Sequence, residues 1–134
     1  MRFKPTHMKN NGLTLLAVDD EFGILRMLKE VFEPRGWTII TTPTGDSVNN
    51  IINERKVNLI LLDIKLPDSS GFDILKEIKA KTQSIPIIIY TACGYEDDLV
   101  KKAIELGAAG YVSKAVSLRE LIGVVDSAVM KYIG

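Results

Sequence analysis

Short apolar runs alternate along this chain with segments whose apolar positions recur at helical spacing. The run 13–18 (LTLLAV) predicts a strand. Residues 21–32 predict a helix with Ile24, Leu28, Val31 and Phe32 on one face, stopped by Pro34 and Gly36. A second strand is expected over 37–41 (WTIIT), then a helix over 44–55 that carries Val48, Ile51 and Ile52 inward. The third strand, 58–62 (NLILL), is apolar on both faces and ends at once in Asp63. A helix over 70–79 turns Phe72, Leu75 and Ile78 to the core. The fourth strand, 85–90 (IPIIIY), tolerates Pro86 at its start. A helix over 95–106 precedes Gly107, which is placed as a C-terminal cap. A short fifth strand, 109–112, leads to the last helix, 117–131. Ser117 and Glu120 open it with capping-box spacing, and Leu118, Leu121, Ile122, Val125 and Val129 repeat along it.

Strand–helix units in unbroken succession predict an α/β fold: a parallel sheet covered by helices on both faces. Such sheets bind ligands beyond the C-terminal ends of their strands, where strand order reverses. The 134 residues suit one domain, read here as 13–134, with the polar residues 1–12 as a flexible lead-in.

Composition narrows the function classes. Seventeen basic residues balance seventeen acidic ones, so no general basic surface for nucleic acid is expected. One cysteine, Cys93, excludes an internal disulfide and fits a reducing, cytoplasmic setting. With a single histidine, His7, it cannot build a zinc site. No apolar run reaches the length of a membrane span, and no membrane association is expected.

The chemistry gathers at the strand ends. Asp19 and Asp20 follow the first strand, Asp63 the third, Thr91 the fourth, and Lys114 lies just past the fifth. If the first and third strands are neighbours, three carboxylates crowd one edge of the sheet. Such crowding raises their pKa values unless a cation settles among them. Oxygen-only ligands point to a hard ion, Mg²⁺ above all, which usually shares its carboxylates with a phosphoryl group. Lys114 and Thr91 are suited to that partner as ammonium and hydroxyl donors. A carboxylate can also attack phosphorus, and central Asp63 is the best placed to do so. Taken singly, each residue has an ordinary explanation: an Asp pair before a helix caps it, and an Asp after a strand makes a turn. The set carries the argument, because the groups are mutually useful.

The stretches LLAVDDE, LILLDIKLPDSSGFDIL, IIIYTACG and GAAGYVSK resemble the receiver domain of two-component response regulators, in order and in spacing. The resemblance covers about residues 13–131. It implies a flavodoxin-like (βα)5 three-layer sandwich with a five-stranded parallel sheet in the order 2-1-3-4-5. It implies Asp63 as phosphoacceptor and Asp19 and Asp20 as the acidic pair for Mg²⁺, with Asp20 the more direct ligand. The backbone carbonyl of Lys65 is the further metal ligand. Thr91 and Lys114 contact the phosphoryl group, and Thr91 and Tyr111 form the switch pair. The implied donor is a sensor histidine kinase or a phosphotransfer protein. The implied output is a change of the helix 4–strand 5–helix 5 face, through which a homodimer is also expected. Such a chain performs self-phosphotransfer and autodephosphorylation only.

Two features depart from the usual pattern. Ala115 follows Lys114 where the family carries a proline after a cis peptide, and the expectation here is that the Lys114–Ala115 bond stays cis. Lys65 and Cys93 stand two residues beyond Asp63 and Thr91, flanking the water's route to the phosphoryl group. Lys65 is expected to shield that group or to pair with unphosphorylated Asp63. The rival reading is a phosphohydrolase with an aspartate nucleophile. It needs a second acid two residues after Asp63, where Lys65 stands.

Overall fold

The computed structural model describes residues 12–82 and 84–133, so the expected lead-in, apart from Gly12, lies outside the described residues. Five strands, β1 (Thr14–Val18), β2 (Thr38–Thr42), β3 (Leu59–Leu62), β4 (Ile87–Thr91) and β5 (Gly110–Ser113), alternate with five helices. The helices are α1 (Phe22–Phe32), α2 (Val48–Glu54), α3 (Gly71–Lys81), α4 (Asp97–Glu105) and α5 (Leu118–Tyr132). All strand pairs are parallel, and the order is β2-β1-β3-β4-β5, as expected.

Side-chain alternation sorts the core into two layers. Leu15 and Ala17 of β1 pack with Leu25, Leu28 and Phe32 of α1 and with Leu121 and Val125 of α5. Leu16 and Val18 point the other way, onto Val48 of α2, Phe72, Leu75 and Ile78 of α3, and Ala103 of α4. β3 is buried along its whole length on both faces, as its unbroken Leu-Ile-Leu-Leu requires. Each such side chain contributes about 1.5–3 kcal/mol of burial, and that apolar anchor places Asp63 at the middle of the sheet's edge.

Element limits moved where loops make their own hydrogen bonds. The second helix begins at Val48, not at 44, because Gly45 and Asp46 donate their backbone N–H groups to the Asp68 carboxylate, at 2.9 and 2.8 Å. α4 begins at Asp97, leaving Tyr95 in the loop. A 3₁₀ turn, Glu33–Arg35, forms at Pro34. Leu118, the first of the apolar residues that repeat along the last helix, is exposed at its first turn. Ser117 does cap α5, its hydroxyl accepting from the Glu120 N–H at 3.1 Å. Gly107, at φ 95°, closes α4 in the left-handed region, as its position predicts.

One glycine is dictated by the site. Gly71 opens α3 and donates its N–H to the Ile64 carbonyl at 2.6 Å. A Cβ there would lie 2.1 Å from the Asp63 carbonyl oxygen. Gly71→Ala is therefore expected to cost about 1–3 kcal/mol by overpacking against backbone. Gly123→Ala, on the open face of α5 with nothing near its added Cβ, should gain about 0.5–1 kcal/mol. Urea denaturation of the two variants beside the parent chain checks both signs.

Candidate functional site

The hydrogen-bond ladder of the sheet runs one residue past its strands, and the candidate residues sit on that extra rung. Asp19 N–H donates to the Thr42 carbonyl at 3.1 Å, Asp63 N–H to Val18 at 3.0 Å, and Lys114 N–H to Thr91 at 2.8 Å. β1 and β3 are neighbours with Val18 opposite Leu62, so Asp19 and Asp63 emerge side by side. The sequence-predicted convergence of distant segments is thereby present.

At its centre stands the Lys114 ammonium. Nζ lies 2.7 Å from Asp19 Oδ2, 2.6 Å from Glu21 Oε1 and 3.0 Å from Asp63 Oδ2. The lysine side chain is 8% exposed, whereas that of Glu21 is 58% exposed. Asp63 is further held by the Ile64 N–H on Oδ1 at 2.8 Å, and Asp19 by the Glu21 N–H on Oδ1 at 2.9 Å. Carboxylate oxygens of Asp19, Asp20 and Asp63 lie within 4.8 Å of one another, with Asp20 exposed. Closely grouped, all-oxygen donors fit a small hard divalent cation such as Mg²⁺.

An open cavity of about 360 Å³ adjoins this cluster, lined by Asp20, Glu21, Asp63, Lys65, Thr91, Ala92 and Cys93. Thr91 is buried, and its Oγ1 accepts from the Cys93 N–H at 3.3 Å. Tyr111 is half-buried. Its hydroxyl donates to the Gly94 carbonyl at 2.7 Å, tying β5 to the loop after β4. Burial raises the Tyr111 phenol above its ordinary pKa, which keeps that proton in place.

Two expectations are corrected. The Lys114–Ala115 peptide is trans, like every peptide among the described residues. Without proline, trans is lower by about 3–4 kcal/mol. The alanine also brings an N–H that proline lacks, which donates to Ser113 Oγ at 3.1 Å. Lys114 reaches the acids all the same. Second, the ammonium paired with Asp63 is that of Lys114; among the described residues no ion pair joins Lys65 to Asp63. Lys65 instead lines the cavity as an exposed residue whose backbone pairs with Ser70.

Sequence reasoning overlooked Glu21 and Tyr95. Glu21 was visible as a third consecutive acid after the first strand, but its partner is 93 positions away. The Tyr95 hydroxyl accepts from the Ser113 N–H at 3.1 Å, and its ring stands 5.9 Å from that of Tyr111.

Charge balance sets the pH behaviour. Burial works against the Lys114 ammonium, but its bonds to Asp19, Glu21 and Asp63 win and raise its pKa. The stability it contributes is thus full below the ordinary lysine value of 10.5 and is lost only in strong alkali. Asp19 is raised as well, because burial outweighs its bond to Lys114. Between 3.8 and that raised value the folded chain binds more protons than the unfolded one, so this group's contribution improves as pH falls. At neutral pH ionised Asp19 is a net cost. In metal-free buffer, Asp19→Asn should raise the urea midpoint at neutral pH, with the advantage fading as pH falls toward 3.8. A neutral-pH midpoint at or below the parent's would contradict this balance.

Comparison with known proteins agrees with the geometry. Residues 15–126 match the response regulator receiver domain model. The chain is 35% identical over 119 residues to the sporulation initiation phosphotransferase F of Bacillus subtilis, covering 89% of this chain and 92% of that protein. It is 38% identical over 113 residues to the phosphate regulon transcriptional regulatory protein PhoB of Pseudomonas aeruginosa, covering 83% of this chain. It spans about half of that relative, 49% of its length. A response regulator receiver domain protein (CheY-like) of Methanospirillum hungatei superposes with a TM-score of 0.84 at 26% identity, covering 90% of this chain and 95% of that one. The acidic strand ends, the strand order and the matched sequence lead to one family: this chain belongs to the receiver domains of two-component response regulators.

Proposed function

We propose that the chain is a phosphorylation-dependent switch in which Asp63 accepts a phosphoryl group from a histidine kinase or a phosphotransfer protein. The observation that carries this reading is the Asp63 carboxylate, buried, bonded to Lys114 at 3.0 Å and grouped with Asp19 and Asp20 beside an open cavity. In the transfer, an Asp63 oxygen forms a bond to phosphorus. The phosphorus–nitrogen bond of the donor histidine breaks, and its electron pair returns to the ring, whose other nitrogen carries the proton. Asp19 and Asp20, with Asp63 itself and the Lys65 carbonyl, would hold Mg²⁺. That ion would offset negative charge on the phosphoryl oxygens. Lys114 neutralises a further oxygen, and the Thr91 hydroxyl donates to another. These residues mainly position the reactants and stabilise charge, so the chain carries out self-phosphotransfer and slow autodephosphorylation rather than turnover of an external substrate.

Movement of Thr91 toward the new oxygens, coupled to Tyr111, would bias the α4–β5–α5 face between two arrangements. α4 packs on β5 and, with α5, carries the exposed apolar residues Ile104 and Leu118. That face is the proposed route to an output and to a homodimer. The matched residues 15–126 support reading 13–134 as the receiver unit, and a cytoplasmic setting would keep Cys93 reduced. The phosphohydrolase reading is not favoured, since an exposed lysine, Lys65, occupies the place of its second acid.

Incubation with acetyl phosphate and Mg²⁺ should add one phosphoryl group by intact mass, and Asp63→Asn should abolish the gain. Persistence of the gain in Asp63→Asn would sink the assignment. Lys65→Ala should change the lifetime of the phosphorylated form, followed by the decay of the modified mass; an unchanged lifetime would leave Lys65 without that role.

A further inference from the structure

We infer that Glu21 is a positioning residue: its carboxylate latches the Lys114 ammonium in the unphosphorylated chain and releases it when Asp63 carries a phosphoryl group. The inference rests on the reading of Asp63 as phosphoacceptor. It begins from a count of donors. An ammonium has three N–H groups and no acceptor. Lys114 spends them on Asp19, Glu21 and Asp63, at 2.7, 2.6 and 3.0 Å. A phosphoryl group turns the Asp63 carboxylate that Lys114 grips into an acyl phosphate and moves its charge outward onto the phosphoryl oxygens. The ammonium has to follow that charge and strains its other two bonds. One partner has to give way.

Exposure decides which. The side chains of Asp19 and Asp63 are 4% and 7% exposed, against 58% for Glu21. Once Asp63 is modified, parting Lys114 from Asp19 leaves a buried carboxylate charge without its ammonium, which is costly. Glu21 loses little, because solvent takes over its oxygens as they leave. Its backbone is fixed independently: the Glu21 N–H stays on Asp19 Oδ1, and its carbonyl accepts the Leu25 N–H that opens α1. The side chain can therefore swing without disturbing the acids behind it. Glu21 also lines the cavity that Asp63 faces, so in the latched position its charge stands on the approach of an anionic phosphodonor.

The full chain tests this with acetyl phosphate, with beryllofluoride as a phosphoryl mimic, and with carbon NMR of the Glu21 carboxylate, all in Mg²⁺. Glu21→Ala should take up the phosphoryl group several-fold faster and bind beryllofluoride several-fold more tightly. Glu21→Gln keeps an acceptor oxygen without the charge and should fall between Ala and the parent. In the parent chain the Glu21 Cδ resonance should move, on adding beryllofluoride, to the position it holds in Lys114→Gln, where no ammonium grips it. A resonance that stays put overturns the latch even if the rate rises, because that pattern reports only a distant charge effect. Rates and affinities equal to or below the parent's in both Glu21 variants overturn it too. A parent chain that takes up no phosphoryl group on Asp63 overturns the underlying reading as well; normal uptake with indifferent Glu21 variants overturns the latch alone.

Discussion

A single ammonium holds the functional edge of this molecule together. Lys114 bonds carboxylates that arrive from β1 and from β3, and it reaches them from the end of β5, so one charge links the edge strand to the two central ones. Asp19 and Asp63 are both buried, and each would be an uncompensated interior charge without it. Removing the ammonium, and so leaving buried carboxylates uncompensated, costs about 3–5 kcal/mol. Net stabilities of domains are only about 5–15 kcal/mol. The lysine is thus as structural as it is chemical, and its raised pKa records the same fact from the proton's side.

That arrangement is affordable only because apolar strands lie beneath it. Leu59–Leu62 and Ile87–Ile89 are buried almost completely, and their packing against both helical layers fixes where the strands stop. Acids set one residue beyond such strands cannot drift apart to relieve their repulsion. The loops are fixed as firmly. Asp68 ties the loop after β3 to the turn before α2, and those backbone N–H bonds lower its pKa even though it is exposed. Gly71 lets α3 press onto the Asp63 carbonyl. Asp63 is therefore braced from behind as well as from the side.

Much of this was legible in the chain. The alternation of apolar runs and helical spacing implied the layered sheet, and the polar residue closing each run implied the site, because a strand end is a position that one can count to. What was hidden depends on contacts made across long separations or on loop geometry. Glu21 looked like one more acid at a helix start, since nothing near it in sequence announces Lys114. The late start of α2 follows from Asp68, some twenty residues downstream, capturing two backbone N–H groups. The peptide before Ala115 was expected to inherit the geometry that a proline permits. The residue itself argued otherwise, because an amide N–H that can find an acceptor favours the trans turn seen here. The Lys65–Asp63 pairing failed for a related reason: nearness in sequence says little about reach when a loop carries the side chain outward.

The remaining question is how the proposed modification of Asp63 would be felt elsewhere, and the contacts of the loop after β4 bear on it. This loop is stitched to β5 at two points, Tyr111 hydroxyl on the Gly94 carbonyl and Ser113 N–H on the Tyr95 hydroxyl, and just before it Lys114 N–H holds the Thr91 carbonyl at the end of β4. Thr91 and Cys93, within the same stretch, line the cavity beside Asp63. In the proposed switch, a group on Asp63 that drew Thr91 toward it would pull on a segment whose other contacts hold Tyr111 and Tyr95. The two rings stand 5.9 Å apart at the rim, with Tyr95 largely exposed, so strain there is relieved most cheaply by moving the tyrosines rather than the packed sheet. The acid cluster thus sits where the fully buried strands β3 and β4 meet a loop that single hydrogen bonds hold to β5.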